Sequence, residues 1–218
     1  MSFMRELLNQ NIPIWDECAA TPFVKGLQTG TLPLENFKGY IVQDSIYLKN
    51  YARVFGKLIY HSTKLRDIQF YYSALGFVTD TESAVRLRYL GQFGMTDDDI
   101  EALEPLPENK RYIEFLMTTA ENGSIYEMLM AVLPCMLSYS YIFRKLAAMP
   151  ETVHSEFYDL IQDYAEDAYY DSCKGMCEFT DKRCDNLTVG ERERLGHIFM
   201  EASLLERDFW EMSCGNSL

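Results

Sequence analysis

Cys135 and Tyr139 lie four residues apart in the stretch LPCMLSYSYIF, Leu133 to Phe143. On a helix that spacing separates them by about 40° around the axis, so a thiol and a phenol share one face. The pair can line a pocket, with the thiol as nucleophile, and it can equally be ordinary core. In VQDSIYLKNYARVF, Asp44, Tyr47 and Tyr51 fall together on the apolar side of a helix. In SLLERDFW, Glu206 is flanked by Leu204, Leu205, Phe209 and Trp210. An ionised carboxylate costs several kcal/mol to bury without hydrogen bonds, so each inward acid needs donors. A protein group and a ligand can both supply them, but two inward acids from distant segments point to a polar site inside an apolar interior.

Metal chemistry has little to build on. A di-metal carboxylate site in a helical bundle needs two Glu-x-x-His pairs on facing helices, and only Glu151 with His154 has that spacing. His61 and His197 supply no second pair, and no histidine precedes His61 to suggest a haem ligand. Cys173, Cys177 and Cys184 stand within about 40° of one another on a helix. With no fourth ligand at a known spacing, they read as small apolar fillers on a buried stripe. Six cysteines without framework spacing indicate reduced thiols.

The elements that must carry these residues are helices throughout. Leu34 to Tyr60 keeps apolar residues at a period of 3.6, and Ser124 with Glu127 and Thr188 with Glu191 fit the capping box. Pro33, Pro107 and Pro150 mark other helix starts. The pattern predicts helices near 2–20, 22–29, 34–60, 64–91, 97–103, 109–122, 125–147, 152–165, 167–184 and 189–213. Pro134 lacks the amide that would bond the Met130 carbonyl, and predicts a kink opening space beside Cys135. No alternating stretch reads as a hairpin and no repeat or low-complexity linker divides the chain, so the expectation is one all-α bundle over 1–218.

Composition narrows the function. The 218 residues are 48% hydrophobic, enough for a sizeable core, and 20 Lys and Arg against 33 Asp and Glu leave a net charge of −13. That field repels phosphate backbones and no basic cluster or strand-like aromatic platform offsets it, so nucleic acid is not an expected partner. The N-terminal MSFMRELLNQNIPIWDE has neither signal- nor transit-peptide character. The uncharged run from Met128 to Phe143 is shorter than the roughly 20 residues a bilayer requires. A soluble cytoplasmic protein with no membrane partner is expected.

TPFVKGLQTGTLPLENFKGYIVQDSIYLKNYARVF, followed in order by NKRYIEFL, AVLPCMLSY, LIQDYA and LLERDFWEM, resembles the TenA family, the thiaminase II or aminopyrimidine aminohydrolase group of the haem-oxygenase-like fold. The likeness spans about residues 2–213. It implies a homotetrameric enzyme of thiamin salvage that uses no metal or organic cofactor. By position, Cys135 matches the nucleophile of the cysteine-bearing branch, and Glu206 the acid that engages a pyrimidine ring nitrogen. Asp44 matches the carboxylate at the amino-substituted edge. Tyr47, Tyr112, Tyr139, Tyr164 and Phe209 match residues that stack on the ring or hold its polar partners. The implied reaction converts 4-amino-5-aminomethyl-2-methylpyrimidine to the hydroxymethyl compound with release of ammonia, with thiamin cleavage as a related activity. A non-catalytic pyrimidine-binding or regulatory protein of the same fold is the alternative. Leu137 and Leu160 stand where the family often has tryptophan, and AEDAYY after Tyr164 departs from its serine-containing pattern, so the resemblance does not fix pocket width or leaving group.

Overall fold

The computed structural model describes residues 2–76 and 83–215, with the side chains of 83–85 set aside. The described residues form α-helices and no strand: α1 (Phe3–Ala20), α2 (Pro22–Thr29), α3 (Leu34–His61), α4 (Leu65–Gly76), α5 (Ser83–Gln92), α6 (Asp97–Glu101), α7 (Pro107–Asn122), α8 (Ile125–Ala147), α9 (Tyr158–Ala165), α10 (Asp167–Cys184) and α11 (Val189–Met212). Helix starts follow the side-chain signals. Ser124 Oγ accepts from the Glu127 amide at 3.3 Å while Glu127 accepts from the Ser124 amide at 2.7 Å, and Thr188 with Glu191 repeats the arrangement. Thr96 and Asp99 form a third capping box, at α6.

Two expected spans end differently. Of the helix expected at 64–91, residues 77–82 lie outside the described residues, and α4 and α5 occupy its two ends. The helix expected at 152–165 is a 3₁₀ turn over Pro150–His154 followed by α9. Ser155 is the reason: it takes an extended conformation, donates from Oγ to the Leu27 carbonyl at 2.6 Å and accepts the Phe157 amide at 3.1 Å. A side-chain hydroxyl that satisfies backbone groups on a neighbouring helix competes with the helical ladder. Gly30, which ends α2 in the left-handed region at φ 68°, sits against this junction, and a Cβ there would lie 3.2 Å from Ser155 Cα.

α8 is the helix the others surround, in contact with α1, α3, α7, α9, α10 and α11. It continues beyond both ends of the uncharged run, and at 23 residues it is long and apolar enough to cross a bilayer by length and composition. Here it serves as a core helix: Met128 to Cys135 are all buried. Pro134 sits within this helix, which runs through it from Ile125 to Ala147. One turn away, the Val132 carbonyl accepts the Tyr51 hydroxyl at 3.2 Å, which ties α3 to α8 beside Cys135. Ser124→Ala removes the cap of the helix that carries the thiol. It is expected to cost about 1 kcal/mol and to lower Tm by about 2–4 °C, read by thermal denaturation.

Candidate active site

Five helices deliver the residues singled out above. α3 carries Asp44, Tyr47 and Tyr51, α7 carries Tyr112, and α8 carries Cys135 and Tyr139. α9 carries Tyr164, and α11 carries Glu206 and Phe209. All are buried, with Glu206 at 2%, Asp44 at 6% and Cys135 at 9% exposure. The inward direction read from helical spacing is therefore correct for both acids. Tyr112 Oη donates to Glu206 Oε1 at 2.7 Å, which answers part of the buried carboxyl group's need for partners.

The aromatic residues form one connected layer around this pair. The Tyr47 ring lies 4.7 Å from Tyr112 and 6.0 Å from Phe209. Tyr139 sits edge-on to Tyr164 at 5.1 Å, is 5.0 Å from Trp210, and shares a 3.1 Å hydroxyl contact with Tyr40. Burial first, then nearby charge, pushes the phenols of Tyr47, Tyr112 and Tyr139 well above their ordinary pKa. After burial, Cys135 acts on Tyr47 and Glu206 on Tyr112, while Tyr40 and then Asp44, Glu206 and Cys135 act on Tyr139. The thiol and both acids thus bear on one phenol. The Tyr47 hydroxyl is buried without a hydrogen-bond partner of good geometry, although it stands near enough to Tyr112 to oppose the rise of that phenol's pKa.

A cavity of about 360 Å³ opens on Cys135, within the range of ligand pockets. Its walls are Tyr51, Phe55 and Phe70 on one side and Met136, Tyr169 and Met176 on the other. Asp44, Glu206, Tyr47, Tyr112, Tyr139, Tyr164 and Phe209 are not in its lining. Cys135 therefore borders this cavity on one side and faces the tyrosines and Glu206 on the other, and Tyr51 in the cavity wall lies 5.7 Å, ring to ring, from Tyr47.

Sequence reasoning passed over Phe70, Tyr169 and Met176. Tyr169 lies in the divergent AEDAYY segment and donates to the Met136 carbonyl at 3.1 Å, fixing α10 against α8 next to the thiol. Cys173 reaches the same carbonyl at 3.5 Å. Burial pushes the thiols of Cys177 and Cys184 up to about 12 and about 11, which keeps them protonated and poor ligands at neutral pH. No group of three or more His, Cys, Asp or Glu among the described residues is arranged to hold a metal ion.

A polar clamp joins α3, which carries Asp44, to α7, which carries Tyr112. Asn109 Nδ2 donates to the Gln43 backbone carbonyl at 2.8 Å and to Gln43 Oε1 at 2.9 Å, and the Leu106 amide donates to Gln43 Oε1 at 3.0 Å. Gln43 precedes Asp44, and Asn109 lies one turn before Tyr112. The clamp therefore couples the position of the first acid to that of the second acid's hydrogen-bond donor.

A helical bundle with a thiol, two buried acids and a tyrosine layer between facing helices defines the class. Its backbone matches a domain with a haem-oxygenase-like fold from Shewanella denitrificans at a TM-score of 0.70 and 15% identity, covering 96% of this chain and 91% of that one. The chain belongs to the TENA/THI-4/PQQC family, whose model matches residues 8–216. A TenA homologue from P. horikoshii superposes at a TM-score of 0.87 with 26% identity, covering 98% of each chain. An aminopyrimidine aminohydrolase from Halalkalibacterium halodurans is 30% identical over 214 residues, 98% of this chain and 96% of that protein.

Two outcomes follow from this geometry. Tyr112→Phe leaves the buried Glu206 without that donor and is expected to destabilise by about 1–3 kcal/mol in denaturant titration. Tyr47, Tyr112 and Tyr139 keep their protons in the folded state above the ordinary pKa of 10.0, where the unfolded chain releases them. Their contribution is complete below pH 10 and is lost as pH rises, by about 1.4 kcal/mol per tyrosine per unit. Thermal melts should show Tm falling steeply above that pH.

Proposed function

We propose that this chain is an aminopyrimidine aminohydrolase, a hydrolase of thiamin salvage, converting 4-amino-5-aminomethyl-2-methylpyrimidine to its 5-hydroxymethyl counterpart with release of ammonia. The observation that carries this reading is a buried thiol at the edge of a cavity, next to a tyrosine layer that contains a hydrogen-bonded glutamate. The 30% identity to a protein named for that activity supports it over nearly the whole chain.

An aminopyrimidine is flat, with donors and acceptors on its rim, so aromatic faces and carboxylates suit it. Glu206 gives a proton to a ring nitrogen, and the Cys135 thiolate adds to the activated ring carbon to form a C–S bond. The electron pair gained by the ring then expels the exocyclic amine, bound as its ammonium form, as ammonia. Water adds to that methylene and loses a proton, the C–S bond breaks to give back the thiolate, and the ring nitrogen returns its proton to Glu206 as the aromatic ring is restored. Asp44 reads the amino-substituted edge, while Tyr47, Tyr112, Tyr139, Tyr164 and Phe209 hold the ring and its polar partners. With thiamin as substrate the thiazole departs in place of ammonia. The same reading makes the chain one functional domain over 1–218, a cytoplasmic homotetramer that works without metal or organic cofactor.

Purified protein given the aminomethylpyrimidine is expected to release ammonia, and Cys135→Ser to release none. Glu206→Gln should lower kcat by about 10²–10⁴-fold. Equal turnover by Cys135→Ser would remove the thiol from the reaction. Tight pyrimidine binding with no turnover by the unaltered protein would make it a binding protein instead.

A further inference from the structure

The cavity at Cys135 does not end at Phe70 and Gly175. Both residues also line a groove between α4 and α10, and that groove runs on toward the α3–α4 turn. Phe70 of α4 stacks on Phe179 of α10 at 3.8 Å and 6°, which ties the two walls together beside the neck. One turn before Phe179 on α10, a Cβ at Gly175 would meet nothing within 4 Å, so the neck is open there. From this neck, Arg66 lies one turn back along α4, about 6 Å, and Lys182 two turns on along α10, about 10 Å.

The groove's charge is opposite to that of the whole chain. Lys64, Arg66, Lys182 and Arg183 line it against Asp67 and Glu178, a surplus of two positive charges in a protein of net −13. Arg183 is committed: it pairs with Asp67 and lies over the Phe179 ring. Lys64, Arg66 and Lys182 are exposed, and no ion pair among the described residues holds them. An acidic protein repels anions at long range, so uncommitted cations gathered beside a cavity are what a small anion needs in order to bind there.

We propose that this groove is an anion site that takes a phosphate or diphosphate carried on the leaving-group side of a pyrimidine substrate. The tether rests on the function proposed above, with the ring at Cys135, the departing portion in the neck and its anionic end between Arg66 and Lys182. The groove itself rests only on the lining residues.

Titration calorimetry with inorganic pyrophosphate tests the groove without any turnover. Binding that weakens by about tenfold for each cation lost in Arg66→Gln and Lys182→Gln, and further as salt is raised, is expected. Equal binding by the double variant and the unaltered protein, or none by either, would overturn the site. Comparing thiamin diphosphate with thiamin tests the tether: kcat/KM should be at least tenfold higher for the diphosphate. That preference should vanish in the double variant, while ammonia release from the aminomethylpyrimidine stays unchanged. Equal kcat/KM for the two substrates would overturn the tether. A protein that binds pyrophosphate through Arg66 and Lys182 but hydrolyses no pyrimidine would overturn the enzymatic reading and the tether together, leaving the groove a site for free anions.

Discussion

A glutamate at 2% exposure inside a layer of aromatic rings is the constraint on which the rest of the structure depends. Left without a hydrogen-bond partner, such a buried polar group costs about 1–3 kcal/mol. Tyr112 supplies one such bond to Glu206, and the requirement then passes to the helices. α7 has to hold Tyr112 at hydrogen-bonding distance from α11, and α7 is itself fixed on α3 by the Asn109–Gln43 clamp. The same turn of α3 carries Asp44. One buried acid therefore ties together three helices that are remote in sequence.

Cys135 occupies a different kind of position. The tyrosines on one side of it are buried, and their hydroxyls remain phenols because burial and neighbouring charge both oppose ionisation. On the other side lies the cavity walled by Tyr51, Phe70 and Tyr169. A group placed there has open room for one reactant and a rigid polar layer for another. The proposed chemistry needs both, since a ring must be held and a leaving group must go somewhere. The groove beyond Phe70 and Gly175 extends the cavity toward Arg66 and Lys182.

Much of the fold was legible in the residues. The 3.6 period of α3, the capping pairs at Ser124 and Thr188, and the prolines at helix starts are local signals, because a helix satisfies its backbone within a few residues of itself. The break at Ser155 was not legible. Its cause is the Leu27 carbonyl, which lies 128 residues away in the chain and becomes a neighbour only when α2 packs against the 3₁₀ turn before α9.

The candidate site divides along the same line. Sequence alone determined that Asp44, Glu206 and Cys135 face inward, since each sits on the apolar stripe of its own helix, and the inward direction of a side chain is a property of one helix. Only the tertiary structure decided that Tyr112 is the partner of Glu206, that the cavity opens on the thiol and not on the acids, and that Phe70 and Tyr169 wall it. Those facts depend on how helices from opposite ends of the chain are spaced. Spacing is set by packing and hydrogen bonds between elements, which no local pattern of residues records.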